Sequence, residues 1–263
     1  YDLSLALGSG AFAPLEIVRS YAVFANGGYL VKPYYINRIE SRSGDILFEN
    51  KPLTVCQGCE PVEQEPQDTT VSADTESTEK DVKAEDEDII EYAPRVISPQ
   101  NAYIMRSIIR EVVRRGTAVR AKALGRTDIA GKTGTTNDQK DAWFSGFNDQ
   151  VVTTAWVGFD NQKPLGSRET GGRAALPMWI EYMREALAGL PINLEEQPDE
   201  IVTVRIDSDT GERATKHSAN SRFEIFKMGT EPAEKLVVDA NTGGNDPSKG
   251  GSTQQEAIEE DIF

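Results

Sequence analysis

Two stretches of the chain repeat their apolar residues at helical spacing. From Leu15 to Ala25, the residues Leu15, Val18, Ala22 and Ala25 share one face, and Pro14 suits a first helical position. Asn26-Gly27-Gly28 then stops the helix with residues that tolerate positive φ. The second stretch opens at Ser98-Pro99, an N-cap followed by a first-turn proline, and Gly116 ends it. Ile104, Met105, Ile108, Ile109 and Val112 form its expected buried stripe. Arg106, Arg110, Arg114 and Arg115 fall towards its polar side, where basic residues near the C-terminal end oppose the helix dipole. Pro177 to Leu190 reads as a third helix.

Other stretches have strand character. Tyr29 to Ile36 and Ile39 to Phe48 read as strands, the latter with a turn at Ser43-Gly44. Ile129 to Thr135, Asp141 to Phe147 and Val151 to Phe159 follow one another with turns at Asn137-Asp138 and Asn148-Asp149. Such short connections leave no room for crossover helices and favour antiparallel hairpins. Helices, then a meander, then a helix predict an α+β domain, an antiparallel sheet with packed helices.

Charge alters this picture in one place. The chain of 263 residues carries a net −15, and Glu60 to Glu91 alone holds 13 acidic residues against two lysines. That stretch lacks the apolar area to offset its ordering entropy, so a disordered insertion is expected at about residues 53–93. Asn241 to Gln255 reads as a flexible tail. The expected organisation is one domain over residues 1–190, interrupted by the insertion, and a C-terminal extension with its tail over 191–263. A net acidic chain is a poor general binder of nucleic acid, and the helix arginines are better read as a solvated face. No apolar run approaches the roughly 18 residues of a membrane span. Two cysteines cannot staple a fold of this size, so a hydrophobic core must hold it.

The chemistry concentrates on Gly131-Lys132-Thr133-Gly134-Thr135-Thr136. A phosphate loop needs a glycine six residues before its lysine, whereas Gly125 lies seven before Lys132. The tripeptide by itself reads first as a surface lysine before a glycine bulge, and the other reading is a substrate-binding edge strand. Thr133 and Thr135 share a face because strand side chains alternate, and two hydroxyls with a nearby ammonium from Lys132 can hold a carboxylate. Gly134 removes a side chain where another backbone would approach. An open edge can pair with an extended peptide and leave an N–H free to polarise a carbonyl.

The words LALGSG, YAVFANGGY, RRGTA, AGKTGTT, DAWFSGF and TTAWVGFD occur in that order. Together they resemble the transpeptidase domain of class A penicillin-binding proteins, over residues 3–48 and 94–190, with a weaker match at Ile201 to Gly211. The resemblance implies the serine β-lactamase-like fold, truncated at its N-terminal side, and a D,D-transpeptidase that uses S-x-x-K, S-x-N and K-T-G motifs. It implies that Lys132 assists substrate binding and proton transfer. Thr133, Gly134 and Thr135 would form the substrate-binding strand, and the Thr135 N–H one oxyanion-hole donor. Its implied ligands are peptidoglycan stem peptides and β-lactams, with no cofactor and no metal. Other cell-wall synthesis proteins are further implied partners, and the implied location is the periplasm, anchored to the inner membrane by a part preceding Tyr1.

The nucleophile is expected before Tyr1, so this chain alone is expected to be inactive and to expose an apolar surface where the preceding helices pack. Ser77-Thr78-Glu79-Lys80 fits S-x-x-K but lies in the acidic insertion, without an apolar helix to bury its lysine. Ser218-Ala219-Asn220 fits S-x-N but follows the K-T-G motif and reads as a polar loop. A related D,D-carboxypeptidase or β-lactamase, and a non-catalytic wall-binding scaffold, are the alternatives.

The remaining candidates have ordinary readings. Cys56 and Cys59 are too few for a zinc site, and a local disulfide or two idle loop cysteines are the options. His217, near Ser218, Asp207 and Asp209, lies in a polar segment and reads as a surface residue. Asp141 and Asp160 have no spacing that fixes them as a glycosidase pair, and Trp143, Trp156 and Trp179 read as core residues. Gly171-Gly172 could bind an anion at a helix start, but a loop turning tightly over the site is the ordinary account.

Overall fold

The computed structural model describes residues 3, 8, 10–56 and 90–233. Ser77 to Lys80, Cys59, the tail and the interior of the acidic insertion lie outside these residues. The two ends of the insertion are pinned together. Thr54 bridges Tyr92, with Thr54 N–H donating to Glu91 and Ala93 N–H to Thr54. Cys56 is disulfide-bonded.

Helix α1 spans Pro14–Ala25, as its apolar spacing predicts, and Glu16 closes its first turn by accepting from the Ala13 N–H at 2.7 Å. Tyr29 to Ile36 does not form the expected strand. Only Tyr29 bridges, to Arg95, because Pro33 has no N–H to give a ladder and the Val31 carbonyl is taken by Arg19. The next segment splits at Ser43-Gly44 into strands β1 (Arg38–Glu40) and β2 (Ile46–Glu49), an antiparallel hairpin. Helix α2 spans Pro99–Arg115, with Ser98 Oγ accepting from Asn101 N–H at 3.2 Å. A 3-10 turn at Val119–Leu124, which the sequence pattern did not signal, leads to the central sheet.

That sheet is β3 (Ala130–Thr135), β4 (Asp141–Phe147) and β5 (Val152–Gly158), antiparallel and in the order β3-β4-β5. Side-chain alternation splits its residues between two cores. Ala130 and Phe147 pack with Ala25 of α1 and Ile109 of α2. Phe144 and Ala155 pack on the opposite face with Trp179, Leu176 and Met183 of helix α3, which spans Leu176–Ala186. Phe144 and Trp179 meet edge to face at 4.8 Å, and the Trp179 Nε1–H is satisfied by Thr153 O at 3.2 Å. Strands β6 (Ile201–Asp207) and β7 (Ser221–Lys227) form a separate pair. The chain divides into two compact units, Tyr1–Val204 with Glu224–Glu231, and Arg205–Phe223 with Pro232–Phe263.

The buried face of α2 is rotated from the expected stripe. Ala102, Arg106, Ile109 and Val113 are buried, whereas Ile108 is 58% exposed and Met105 stands partly open. Arg106 therefore does not lie on the polar side but is 4% exposed. Its guanidinium donates to Ala25 O at 3.1 Å and lies 2.8 Å from Glu195, which also takes two bonds from Arg110. Burial pulls the Arg106 pKa down and Glu195 opposes this, but a guanidinium stays charged in either case. Arg106 Nη2 and Arg110 Nε find no partner among the described residues, so the cluster depends on Glu195 for much of its compensation.

A second buried ion pair lies under the β4–β5 turn. Arg126 grips Asp128 through two bonds, at 2.9 and 2.6 Å, and donates onward to Leu190 O and Pro191 O. Asn148 reaches Asp128 at 3.3 Å while its Oδ1 accepts from Gln150 and Val151 N–H, so one side chain shapes the turn and anchors it. Burial alone would raise the Asp128 pKa, but the bonds from Arg126 and Asn148 outweigh it and hold the group below its ordinary value.

Two outcomes test these clusters. Glu195→Ala leaves two guanidiniums without their shared carboxylate and should cost about 3–5 kcal/mol in urea unfolding; a loss under about 1 kcal/mol would contradict the assignment. Asp128 has a depressed folded pKa, so its stabilisation is present above the unfolded value of about 3.9 and is lost as pH falls through the lower folded value. The stability gap between the wild type and Asp128→Asn should therefore be constant near neutrality and shrink below about pH 4.

Candidate active site

Strand β3 is an edge strand, and its register decides which amides face outward. Thr136 N–H donates to Asp141 O at 3.1 Å, continuing the ladder in which Thr135 stands opposite Ala142. Antiparallel pairs alternate between bonded and non-bonded, so Lys132 and Gly134 bond to β4. Gly131, Thr133 and Thr135 point their N–H and C=O groups away from it. The β4–β5 register agrees, since the Asn148–Val151 bond assigns the opposite set of β4 amides to β5. Among the described residues, no hydrogen bond takes the Thr135 N–H. The Thr135 N–H thus points away from β4 on an exposed residue.

The side chains of the motif divide between the two faces of the strand. Thr133 and Thr135 stand on one face, at or near the surface. Thr133 Oγ1 lies 2.7 Å from Thr117 Oγ1, and Thr135 Oγ1 accepts the Gly171 N–H at 3.0 Å. Lys132 leaves from the other face, is exposed, and reaches back to donate to the outward carbonyl of Thr133 at 2.8 Å. It also borders an apolar groove of about 300 Å³ between α1 and α2, lined by Tyr21, Phe24, Met105, Ile108 and Val112. The structure therefore brings the ammonium and both hydroxyls to one edge but sets them on opposite sides of it. The groove is an exposed apolar surface of the kind expected of this chain.

Gly171 lets a second backbone close over the strand, and Gly134 leaves room for Trp143 on the other face. Gly171–Ala175 forms one π-helical turn leading into α3. A Cβ on Gly171 would collide with the carbonyl oxygens of Gly134 and Trp143, and one on Gly134 would come within 3.1 Å of Trp143 Cβ. This is the tight loop expected at Gly171-Gly172. Trp143 and Trp156 are not core residues in the way Trp179 is. They stack at 5.8 Å on the Gly134 side of the sheet, where Asp141 Oδ1 holds Trp156 Nε1 at 2.9 Å. Asp141 is thereby committed to an indole, while Asp160 is exposed.

The S-x-N match and His217 belong to the second compact unit. Ser218 accepts from Thr215 N–H and Asn220 donates to Asp209, so the S-x-N match is a self-contained polar loop. His217 is exposed in the same turn. Among the described residues no group of His, Cys, Asp and Glu could hold a metal, and no helix is long and apolar enough to cross a membrane. Thr117 had no assigned role from sequence. Its only signal was its place in the word RRGTA just after the glycine that ends α2.

An edge strand bearing K-T-G, backed by helices on both faces of an antiparallel sheet, defines the penicillin-binding transpeptidase fold. The family model for the penicillin-binding protein transpeptidase domain matches residues 2–177, and the chain belongs to that family. A second model, the C-terminal domain of penicillin-binding protein 1A, matches residues 197–236. The chain is similar to penicillin-binding protein 1A of Pseudomonas aeruginosa, 45% identical over 88% of this chain and 29% of the relative. It is 36% identical to the Escherichia coli protein of that name, over 91% of this chain and 33% of the relative. A crystal structure of penicillin-binding protein 1A from Haemophilus influenzae superposes with a TM-score of 0.74 at 38% identity, covering 88% of this chain and 34% of that one. The chain thus spans about a third of the length of these relatives.

Gly171→Ala should force the loop off β3, destabilise the fold by about 1–3 kcal/mol and shift the Thr135 resonances. An unchanged melting temperature with unchanged Thr135 shifts would show that the close approach is not required.

Proposed function

We propose that this chain supplies the K-T-G wall of a peptidoglycan D,D-transpeptidase site, completed by a nucleophile-bearing segment that packs into the groove beside Lys132. The observation that carries this reading is the outward Thr135 N–H on an open edge, with exposed hydroxyls on one side and a lysine bordering an apolar groove on the other. A stem peptide ending in D-Ala-D-Ala adds to the edge as a further strand. Its scissile carbonyl oxygen takes the Thr135 N–H, which strengthens as negative charge develops there.

In the first half-reaction the serine oxygen bonds to the carbonyl carbon, the bond to the terminal D-alanine nitrogen breaks, and the serine proton passes to that departing amine. In the second half an amine of a neighbouring stem attacks the ester carbon, the bond to the serine oxygen breaks, and the proton lost by the amine returns to that oxygen as the crosslinking amide forms. Lys132 assists binding and proton transfer from its position at the groove. Thr133 and Thr135 receive the substrate carboxylate. A β-lactam, whose ring amide and carboxylate imitate the dipeptide, enters the same site and remains as an ester. No cofactor is required, and the reaction belongs to the periplasmic side of the inner membrane.

In a polypeptide extended at its N-terminus to the length of the relatives, Lys132→Ala should lower acylation by a fluorescent penicillin by roughly 10²-fold or more, the scale of a lost acid–base group. The 263-residue chain alone should not label. Undiminished labelling of the variant, or labelling of the isolated chain, would overturn the reading. An extended wild-type protein that binds wall polymer but never labels would indicate a scaffold instead.

A further inference from the structure

We propose that Arg120 and Thr117 complete the carboxylate-receiving subsite with Thr133 and Thr135, and that Arg120 supplies its positive charge. The inference rests on the transpeptidase reading above and names two residues and a charge that the K-T-G motif does not contain. It starts from strand alternation. Lys132 leaves β3 on the side opposite Thr133 and Thr135 and borders the groove between α1 and α2. The Lys132 ammonium is engaged by the Thr133 carbonyl at the strand edge, so a further cation that rises on the hydroxyl face itself comes from another element.

Three segments meet on the hydroxyl face. Thr117 follows the end of α2, Thr133 and Thr135 come from β3, and Gly171-Gly172 comes from the π-helical turn. Arg120, on the 3-10 turn, reaches across to place Nη1 3.4 Å from Gly172 O. A Cβ on Gly172 would lie 3.1 Å from Thr117 O and 3.8 Å from Thr133 Cγ2, so the anchor of Arg120 sits against Thr117 and Thr133. Arg120 and Thr117 are both exposed.

Ion pairing separates Arg120 from most of the arginines around it, and its bond to Gly172 separates it from Arg173, which also has no ion pair among the described residues. Arg106 and Arg110 meet Glu195, Arg114 and Arg115 meet Glu111, and Arg126 meets Asp128. Arg120 makes no ion pair among the described residues; its recorded bond is one long contact to a carbonyl. Most of its five donors remain for a ligand.

The hydroxyls are also left with protons to give. Only one hydrogen can lie between Thr117 Oγ1 and Thr133 Oγ1, so one of the pair keeps an O–H free. Thr135 Oγ1 accepts from Gly171, which leaves its own O–H free. A guanidinium and two hydroxyl donors on one exposed face suit a carboxylate, an acceptor with two oxygens. A neutral peptide terminus would leave the guanidinium without its acceptor. The ligand class is thus an extended peptide or ring amide with a free carboxylate close to the carbonyl that is attacked.

The test pairs a ligand with its charge-free analogue. Binding of diacetyl-L-Lys-D-Ala-D-Ala and of its C-terminal amide to the 263-residue chain is followed by amide NMR shifts, for the wild type, Arg120→Gln, Arg120→Lys and Thr117→Val. The acid should shift the Thr133, Thr135 and Gly172 resonances, and Arg120→Gln should weaken it roughly tenfold while leaving the amide unaffected. Arg120→Lys should restore part of the loss, and Thr117→Val should weaken the acid a few-fold. Equal affinity of the wild type for acid and amide, no detectable binding of the acid, or an equal loss for both ligands in Arg120→Gln would overturn the proposal. If the extended polypeptide is acylated in a Lys132-dependent way but Arg120→Gln does not affect its rate, only the subsite fails. If the chain discriminates acid from amide but the extended polypeptide never acylates, only the transpeptidase reading fails.

Discussion

The hydrogen-bond register between β3 and β4 governs what this protein can do. Because Lys132 and Gly134 spend their amides on β4, the amides of Thr133 and Thr135 have nowhere to point but outward. A slip of one residue would turn Thr135 inward and present Gly134 to solvent, and the side-chain faces would exchange with it. The register is held by features remote from the edge itself. Asn148 shapes the β4–β5 turn and is tied to Asp128, which Arg126 grips in turn. Phe147 and Phe144 commit successive parts of β4 to opposite cores. A strand packed this firmly on one side can keep its other side open without drifting.

The open edge is also kept from closing. Exposed edges invite pairing with any available strand, so proteins commonly cover or interrupt them. Here the turn at Gly171 leans on the Gly134 backbone and donates its N–H to Thr135 Oγ1, leaving the Thr135 O–H and the in-plane amides free. The Lys132 side chain folds across the edge to the Thr133 carbonyl. That contact is exposed and held by one bond, so an incoming peptide displaces it at small cost. The edge is thus protected against strong pairing while its outward amides stay unbonded among the described residues.

Where the sequence pattern misled, a residue outside the apolar pattern was responsible. The stripe on α2 was read from apolar spacing alone, which placed Arg106 among the solvated residues. Glu195, nearly ninety positions away, turns that arginine into a buried one and rotates the helix so that Met105 and Ile108 face the groove. The strand expected over Tyr29 to Ile36 failed because Pro33 and the Arg19 side chain remove ladder partners. Trp143 and Trp156, taken for core residues, instead line the sheet beside Gly134, where the absent side chain leaves room for an indole pair.

Elements whose signals are local could be read from the linear chain. The caps and proline of α2, the three closely spaced strands and the turn residues between them were legible because each depends on neighbours a few positions away. The K-T-G word and its companions likewise carried the family, and alternation alone put Thr133 and Thr135 on one face. Only packing fixed which edge of β3 is open, which face of α2 is buried, and that Thr117 meets Thr133, Gly171 meets Thr135 and Arg120 reaches Gly172. Those facts join segments that lie from 16 to 52 residues apart along the chain. A linear pattern records what each residue is, but only the packed sheet fixes which of them share a surface.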